Sequence, residues 1–239
     1  MNMKKALVIG ASSGIGLEVA RLLAADGYHV GISGRREKLL EELKSENPEN
    51  YSVFTFDVTA LNNSFELNTI SEQMGQIELI VHCAGHGEIN KELEFEIEND
   101  TNKLNVLAFT EVVGWAYNYF KKAGGGQLAV ITSIAGIRGG RVAPAYNASK
   151  AYQISYLEAL RQKAKRKKIP MTITDIRPGF VDTKMAKGGG KFWVVPVKKA
   201  ARQIYADIKA RKDVGYVSRR WVLIALLLKF IPRWIYKRM

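Results

Sequence analysis

Tyr146 and Lys150 stand four residues apart, and Ser133 lies thirteen residues before the tyrosine. One helical turn sets the phenol and the ammonium side by side. Tyrosine has an ordinary pKa of about 10, too high for acid–base work near neutrality. A neighbouring cation favours the phenolate, so Lys150 is expected to bring that pKa down. The Ser133 hydroxyl could then hold a carbonyl or alcohol oxygen beside Tyr146. Such a set suits moving a proton to or from oxygen.

A second constellation lies far upstream. Gly10-Ala11-Ser12-Ser13-Gly14-Ile15-Gly16 follows the first apolar run and opens a helical one. Glycines permit a tight turn and let the backbone approach a pyrophosphate, while the helix N-terminus adds N–H groups and positive dipole. A dinucleotide held there would supply the hydride that accompanies the proton. The second strand ends Ile32-Ser33-Gly34-Arg35-Arg36. Sites for NAD usually carry an acid here, accepting from the ribose 2′-OH. Gly34 takes that place, and Arg35 and Arg36 can pair with a 2′-phosphate. NADP(H) is therefore expected over NAD(H); the competing reading is that the arginines only begin a solvated helix. Asp57 could accept from an adenine amino group while Val58 covers the ring, or serve as a turn acid. Asn105 interrupts the apolar run Leu104-Asn105-Val106-Leu107, and a buried amide needs partners.

The elements that must position these residues alternate between two periods. Strands are expected at 5–10, 28–33, 51–56, 78–82, 127–132, 171–176 and 213–218. Helices are expected near 15–26, 36–46, 63–74, 100–122, 144–168 and 197–211. The alternation predicts an α/β fold, a Rossmann-like doubly wound parallel sheet of about seven strands with helices on both faces. Residues 1–218 form one expected domain, and 219–239 a tail.

Composition narrows the rest. The chain has 239 residues, 47% of them hydrophobic, which is enough for one substantial core. Cys83 is the only cysteine, so no internal disulfide forms, as suits a reducing compartment. The apolar start is too short for a signal peptide, and a cytoplasmic location is expected, with the tail peripheral at the inner face of a membrane. The net charge of +13 raises nucleic acid or anionic membrane as partners. The densest basic block, 161–168, reads as the solvated end of a long helix, where cations suit the dipole. No nucleic-acid partner and no metal are expected. The tail joins Trp221–Ile231, too short to span a bilayer, to Arg219, Arg220, Arg233, Lys237 and Arg238. It is expected to lie on an anionic membrane surface or against a sister subunit, with Pro232 breaking the helix.

In this order and at these spacings, the motifs resemble the short-chain dehydrogenase/reductase family in its single-domain core form, over about residues 4–218. Gly10, Gly14 and Gly16 match its cofactor turn. Asp57 matches its adenine contact, and Asn105, Ser133, Tyr146 and Lys150 match its catalytic tetrad. Pro178-Gly179-Phe180-Val181-Asp182-Thr183 matches its nicotinamide-side loop.

The resemblance implies hydride exchange between nicotinamide and a carbonyl or secondary alcohol, with Tyr146 as acid and base. Lys150 would also bind the nicotinamide ribose, Asn105 would hold a water that links Lys150 to solvent, and Thr183 would contact the carboxamide. The expected cofactor contacts are Gly10, Ser12, Ser13, Gly14, Ile15, Gly16, Arg35, Arg36, Asp57, Val58, Ala84, Gly85, Tyr146, Lys150, Pro178, Gly179, Val181 and Thr183. A flap is expected from about Lys184 to Val195, made apolar by Met185, Phe192 and Trp193. A hydrophobic substrate and a homo-oligomer, dimer or tetramer, follow as expectations. The alternative is a non-catalytic sensor or scaffold of the same fold. The chain departs from the family at His82-Cys83, where asparagines are frequent; an imidazole there could titrate near the site, though a histidine at a strand end more often serves as a hydrogen-bonded structural residue.

Overall fold

A computed structural model describes residues 3–183 and 192–238. The strands are β1 (Lys5–Ile9), β2 (His29–Gly34), β3 (Tyr51–Thr55), β4 (Leu79–His82), β5 (Gly126–Ile131), β6 (Met171–Pro178), β7 (Val181–Asp182), β8 (Val195–Pro196) and β9 (Val214–Val217). The helices are α1 (Gly14–Ala25), α2 (Glu37–Glu46), α3 (Asn63–Met74), α4 (Phe95–Asn102), α5 (Phe109–Lys122), α6 (Pro144–Arg166), α7 (Val197–Lys209), α8 (Trp221–Phe230) and α9 (Arg233–Tyr236).

Seven strands form one parallel sheet in the order β3-β2-β1-β4-β5-β6-β9. A sheet covered on both faces needs strands that are apolar on both sides. β1 meets this condition: Ala6 and Val8 point into one core, and Leu7 and Ile9 into the other. The first core takes Val19 and Leu23 of α1, Leu40 of α2 and Ile204 of α7. The second takes Leu67 of α3, Phe109 and Phe120 of α5, and Leu157 of α6. The chain winds outward from β1 to β3, then restarts at β4 on the other side of β1. That reversal opens a crevice beyond the carboxyl ends of β1 and β4.

The expected α/β architecture is thus present, with two local differences. The helix expected from about 100 begins at Phe95, because the Asn90 side chain accepts from the Glu94 amide at 2.9 Å and fixes the entry. Within that stretch the backbone widens to a π-helix over Lys103–Ala108. β7 and β8 form a small parallel pair that no sequence period announces, each being two residues long. Pro232 separates α8 from α9, as expected of a residue without an N–H.

Candidate active site

The turn from β1 to α1 is built by close approach. Gly10 has φ +89°, and a Cβ there would lie 2.7 Å from the Ala84 nitrogen. A Cβ on Gly16 would lie 2.2 Å from the Gly10 carbonyl oxygen. No side chain caps the first turn of α1, so its N–H groups face the crevice. The cleft there has a volume of about 1420 Å³ and runs from this turn to Tyr146. Every expected cofactor contact lines it: Gly10, Ser12, Ser13, Gly14, Ile15 and Gly16 at the turn, then Arg35, Arg36, Asp57, Val58, Ala84 and Gly85. Pro178, Gly179, Val181 and Thr183 line it near Tyr146 and Lys150. The residues fit a dinucleotide: the bare turn suits a pyrophosphate, and cations lie at the adenosine end.

Arg36 crosses the glycine turn, where Nη2 donates to Ser12 Oγ and Ser13 Oγ, both at 2.7 Å. Arg35 lies 3.7 Å from Asp57. Asp57 caps a short 3-10 turn and accepts from the Thr59 amide at 2.9 Å and hydroxyl at 2.7 Å. Burial alone would raise its pKa; the Thr59 hydrogen bonds and the Arg35 charge outweigh that and hold the carboxyl below its ordinary value. The aspartate therefore has the turn role and a place in the cleft together.

Ser133 and Tyr146 meet because α6 packs on the turn after β5. The Ser133 hydroxyl accepts from the Ala135 amide at 3.1 Å and donates to the Pro178 carbonyl at 3.5 Å, close enough to the phenol to favour its ionised form. The expected downward shift of Tyr146 is reversed here. Burial pushes its pKa up, against the smaller effect of Ser133. The reason is where Lys150 points. Its ammonium is 5.9 Å from the Tyr146 ring centre and donates instead to the Ile131 carbonyl at 3.2 Å and Gln153 Oε1 at 2.9 Å. Burial also lowers the Lys150 pKa to about 8, despite the opposing Asp175 carboxylate.

Asn105 is fully buried behind the cleft. Its Oδ1 accepts from the His86 amide at 2.9 Å, and its Nδ2 donates to the His86 carbonyl at 2.6 Å and Ser149 Oγ at 3.0 Å. It supports the site without facing it. Gln153 is the residue that sequence reasoning missed. Its Nε2 donates to the Asn105 carbonyl at 2.9 Å while its Oε1 accepts from Lys150. The Gln153 side chain thus links Asn105 to Lys150 directly. The signal was the spacing: Gln153 stands three residues after Lys150 and shares its helix face.

His82 and Cys83 sit under the cofactor turn. His82 is 1% exposed, and among the described residues neither ring nitrogen has a hydrogen-bond partner. Burial, aided by Lys150, lowers its pKa to about 3, so it stays neutral rather than titrating near pH 7. Burial pushes the Cys83 thiol up to about 12, which leaves it protonated and unreactive.

Of the expected flap, Met185 and the glycines 188–190 lie outside the described residues. Phe192 lines the cleft and packs on Trp221 with ring centres 5.0 Å apart. Ile224, Leu227, Leu228 and Ile231 continue that apolar wall. Tyr236 closes the end, donating to the Gly139 carbonyl at 2.6 Å.

A parallel sheet with a glycine turn after β1 and a Ser–Tyr–Lys set on one cleft is the layout of a single-domain nicotinamide oxidoreductase. The chain belongs to the short chain dehydrogenase family, whose model matches residues 4–191. It is 29% identical over 188 residues to a Staphylococcus epidermidis protein described as an uncharacterized oxidoreductase, covering 77% of this chain and 81% of that one. A Mycobacterium tuberculosis uncharacterized oxidoreductase is 29% identical over 228 residues, 91% of this chain and 88% of the relative. A human 3-oxoacyl-[acyl-carrier-protein] reductase is 28% identical over 189 residues, covering 77% and 78%. The fold matches a crystal structure of a Streptomyces avermitilis short-chain dehydrogenase with TM-score 0.79 and 19% identity, over 95% of this chain and 92% of that one.

Proposed function

We propose that the chain is an NADP(H)-dependent reductase of hydrophobic carbonyl compounds, or in reverse a dehydrogenase of the matching alcohols. The observation that carries this reading is one cleft holding Ser133, Tyr146 and Lys150 at one end and a bare glycine turn beside Arg35 and Arg36 at the other. When bound, the nicotinamide exchanges the hydride. Tyr146, kept protonated by burial, gives a proton to the substrate oxygen in reduction and takes it back in oxidation. Ser133 holds that oxygen by a hydrogen bond. Lys150 would donate to a ribose hydroxyl of the bound cofactor, and Gln153 is the positioning residue that holds its ammonium. Aldehydes, ketones and secondary alcohols tested with both cofactors decide the matter. Cofactor binding without turnover on any of them would favour a sensor or scaffold.

The preference for NADPH rests on Gly34, Arg35 and Arg36. Losing a charge-assisted contact to the 2′-phosphate costs about 1.5–3 kcal/mol, or roughly 10- to 150-fold in affinity. Arg36→Ala is expected to weaken NADPH by that range in a fluorescence titration and to leave NADH nearly unchanged. Equal affinities of the parent protein for the two cofactors would refute the assignment.

Gln153 yields a test with opposite signs. Protonated Lys150 is the donor, so kcat/KM for the cofactor should fall as pH rises through about 8. Gln153→Leu removes an acceptor from a buried ammonium, which moves that limb to lower pH and costs about tenfold in turnover. Gln153→Glu adds an opposing charge and moves the limb to higher pH. A pH profile identical in all three proteins would leave Gln153 a packing residue only.

A further inference from the structure

We infer that the outer face of α8 and α9 docks on an anionic lipid surface, and that lipophilic substrates enter the cleft from that surface. The second half rests on the oxidoreductase reading above; the first does not.

The α8 sequence, Trp221-Val222-Leu223-Ile224-Ala225-Leu226-Leu227-Leu228-Lys229-Phe230, is apolar nearly all round. One side packs on the domain: Trp221 and Ala225 are buried with Ile134, and Ile224 and Leu228 are half-buried against them. At 100° per residue, Val222, Leu223, Leu226, Leu227 and Phe230 share the opposite side. All five are exposed; Leu223 stands at 66% and Phe230 at 76%, and Trp234 of α9 at 62%. A helix facing only water carries polar residues on that side. A joined apolar patch marks a contact surface. Phe192 and Trp193 extend it, both packed on the Trp221 ring and partly exposed.

Charge selects the occupant. Residues 219–238 hold Arg219, Arg220, Lys229, Arg233, Lys237 and Arg238 and no acid, and all six cations are exposed. Arg219 and Arg220 precede the first turn of α8, where the helix dipole disfavours cations, so helix stability does not explain Arg219, while Arg220 lies over the Trp193 ring, 5.3 Å from its centre. A second copy is a poor occupant: a two-fold contact would set this patch on itself, cation against cation. Anionic lipid offers opposite charge at its surface and an apolar layer beneath. Among the described residues no helix is long and apolar enough to cross a membrane, so the contact is lateral.

The same helix is a wall of the cleft. Ile224, Leu227, Leu228 and Ile231 line the space that Ser133 and Tyr146 also line, and Leu227, 55% exposed, stands beside the outward Leu223 and Leu226 on the helix. A lipophilic molecule in the lipid layer would therefore reach the cleft across α8 without passing through water.

Flotation of the full chain with phosphatidylglycerol–phosphatidylcholine vesicles tests the surface. Binding is expected at low salt, weaker at high salt and weaker on pure phosphatidylcholine. A triple variant, Leu223→Gln, Leu226→Gln and Phe230→Gln, changes exposed residues that do not line the cleft. It should bind at least about tenfold more weakly, with NADPH affinity and melting temperature unchanged. Neutralising Lys229, Arg233 or Lys237 to Gln should cost about fivefold each. No flotation of the parent chain would overturn the proposal, as would a triple variant that floats equally well. Light scattering that shows an oligomer dissolved by the triple variant, without flotation, would assign the face to a second copy instead. Substrate entry is read by a long-chain ketone, whose kcat/KM should rise with vesicles in the parent only, while a short-chain ketone shows no change. An unchanged long-chain rate refutes entry from lipid. Flotation needs no turnover, so failure of the surface and failure of the oxidoreductase reading give different results.

Discussion

Tyr146→Phe should lower kcat by at least about a hundredfold, the usual scale for a positioned acid or base. The substitution removes the transferable proton and keeps the ring, which packs closely on Gly87. Melting temperature and NADPH affinity should therefore change little. Because burial raises the Tyr146 pKa, the proton stays on the phenol through neutral pH. Reduction should then run at full rate near neutrality, and oxidation should quicken as pH rises and the phenolate forms. Steady-state kinetics in both directions, for parent and variant, check this. Near-normal turnover by Tyr146→Phe on a proven substrate would mean that another group moves the proton.

The second large effect concerns stability in mild acid. His82 has a folded pKa of about 3 against 6.5 when unfolded. Between those values the unfolded chain binds the extra proton, so stability is complete above about pH 6.5 and is lost as pH falls toward 3. The full loss is about 4–5 kcal/mol, and about 2 kcal/mol is already gone at pH 5. For a chain of this size that is roughly 4–8 °C in melting temperature. His82→Asn removes the titrating ring, so its melting temperature should fall several degrees less between pH 7 and 5. Parallel pH slopes for the two proteins would show that His82 is protonated, or paired, in the folded state. Of the two readings of His82, titration beside the site gives way to an imidazole held neutral by burial, and among the described residues its ring nitrogens lack the partners that the structural reading expected.

Much of this molecule can be read along the chain, because much of it is local. The seven strands announce themselves as short apolar runs, since both faces of a parallel sheet are covered. The turn Gly10–Gly16 and the pair Tyr146–Lys150 need only a few residues of context, so type and spacing identify them. Four things needed the folded chain. Gln153 joins Lys150 to the carbonyl of Asn105, 48 residues away, and no periodicity reports such a pairing. The direction of the Tyr146 shift depends on how deeply the fold buries the phenol, with the Lys150 ammonium held by the Ile131 carbonyl and Gln153 instead. Arg36 rests on Ser12 and Ser13 because β2 lies beside β1. Finally, α8 is apolar nearly all round, so its sequence could not say which side the domain would cover. Trp221 and Ala225 take the inner side with Ile224 and Leu228 beside them, and Leu223, Leu226, Leu227 and Phe230 are left facing out. Residue types and local spacing settled what chemistry the chain could carry; burial and long-range packing settled which groups hold their protons and which face stays open.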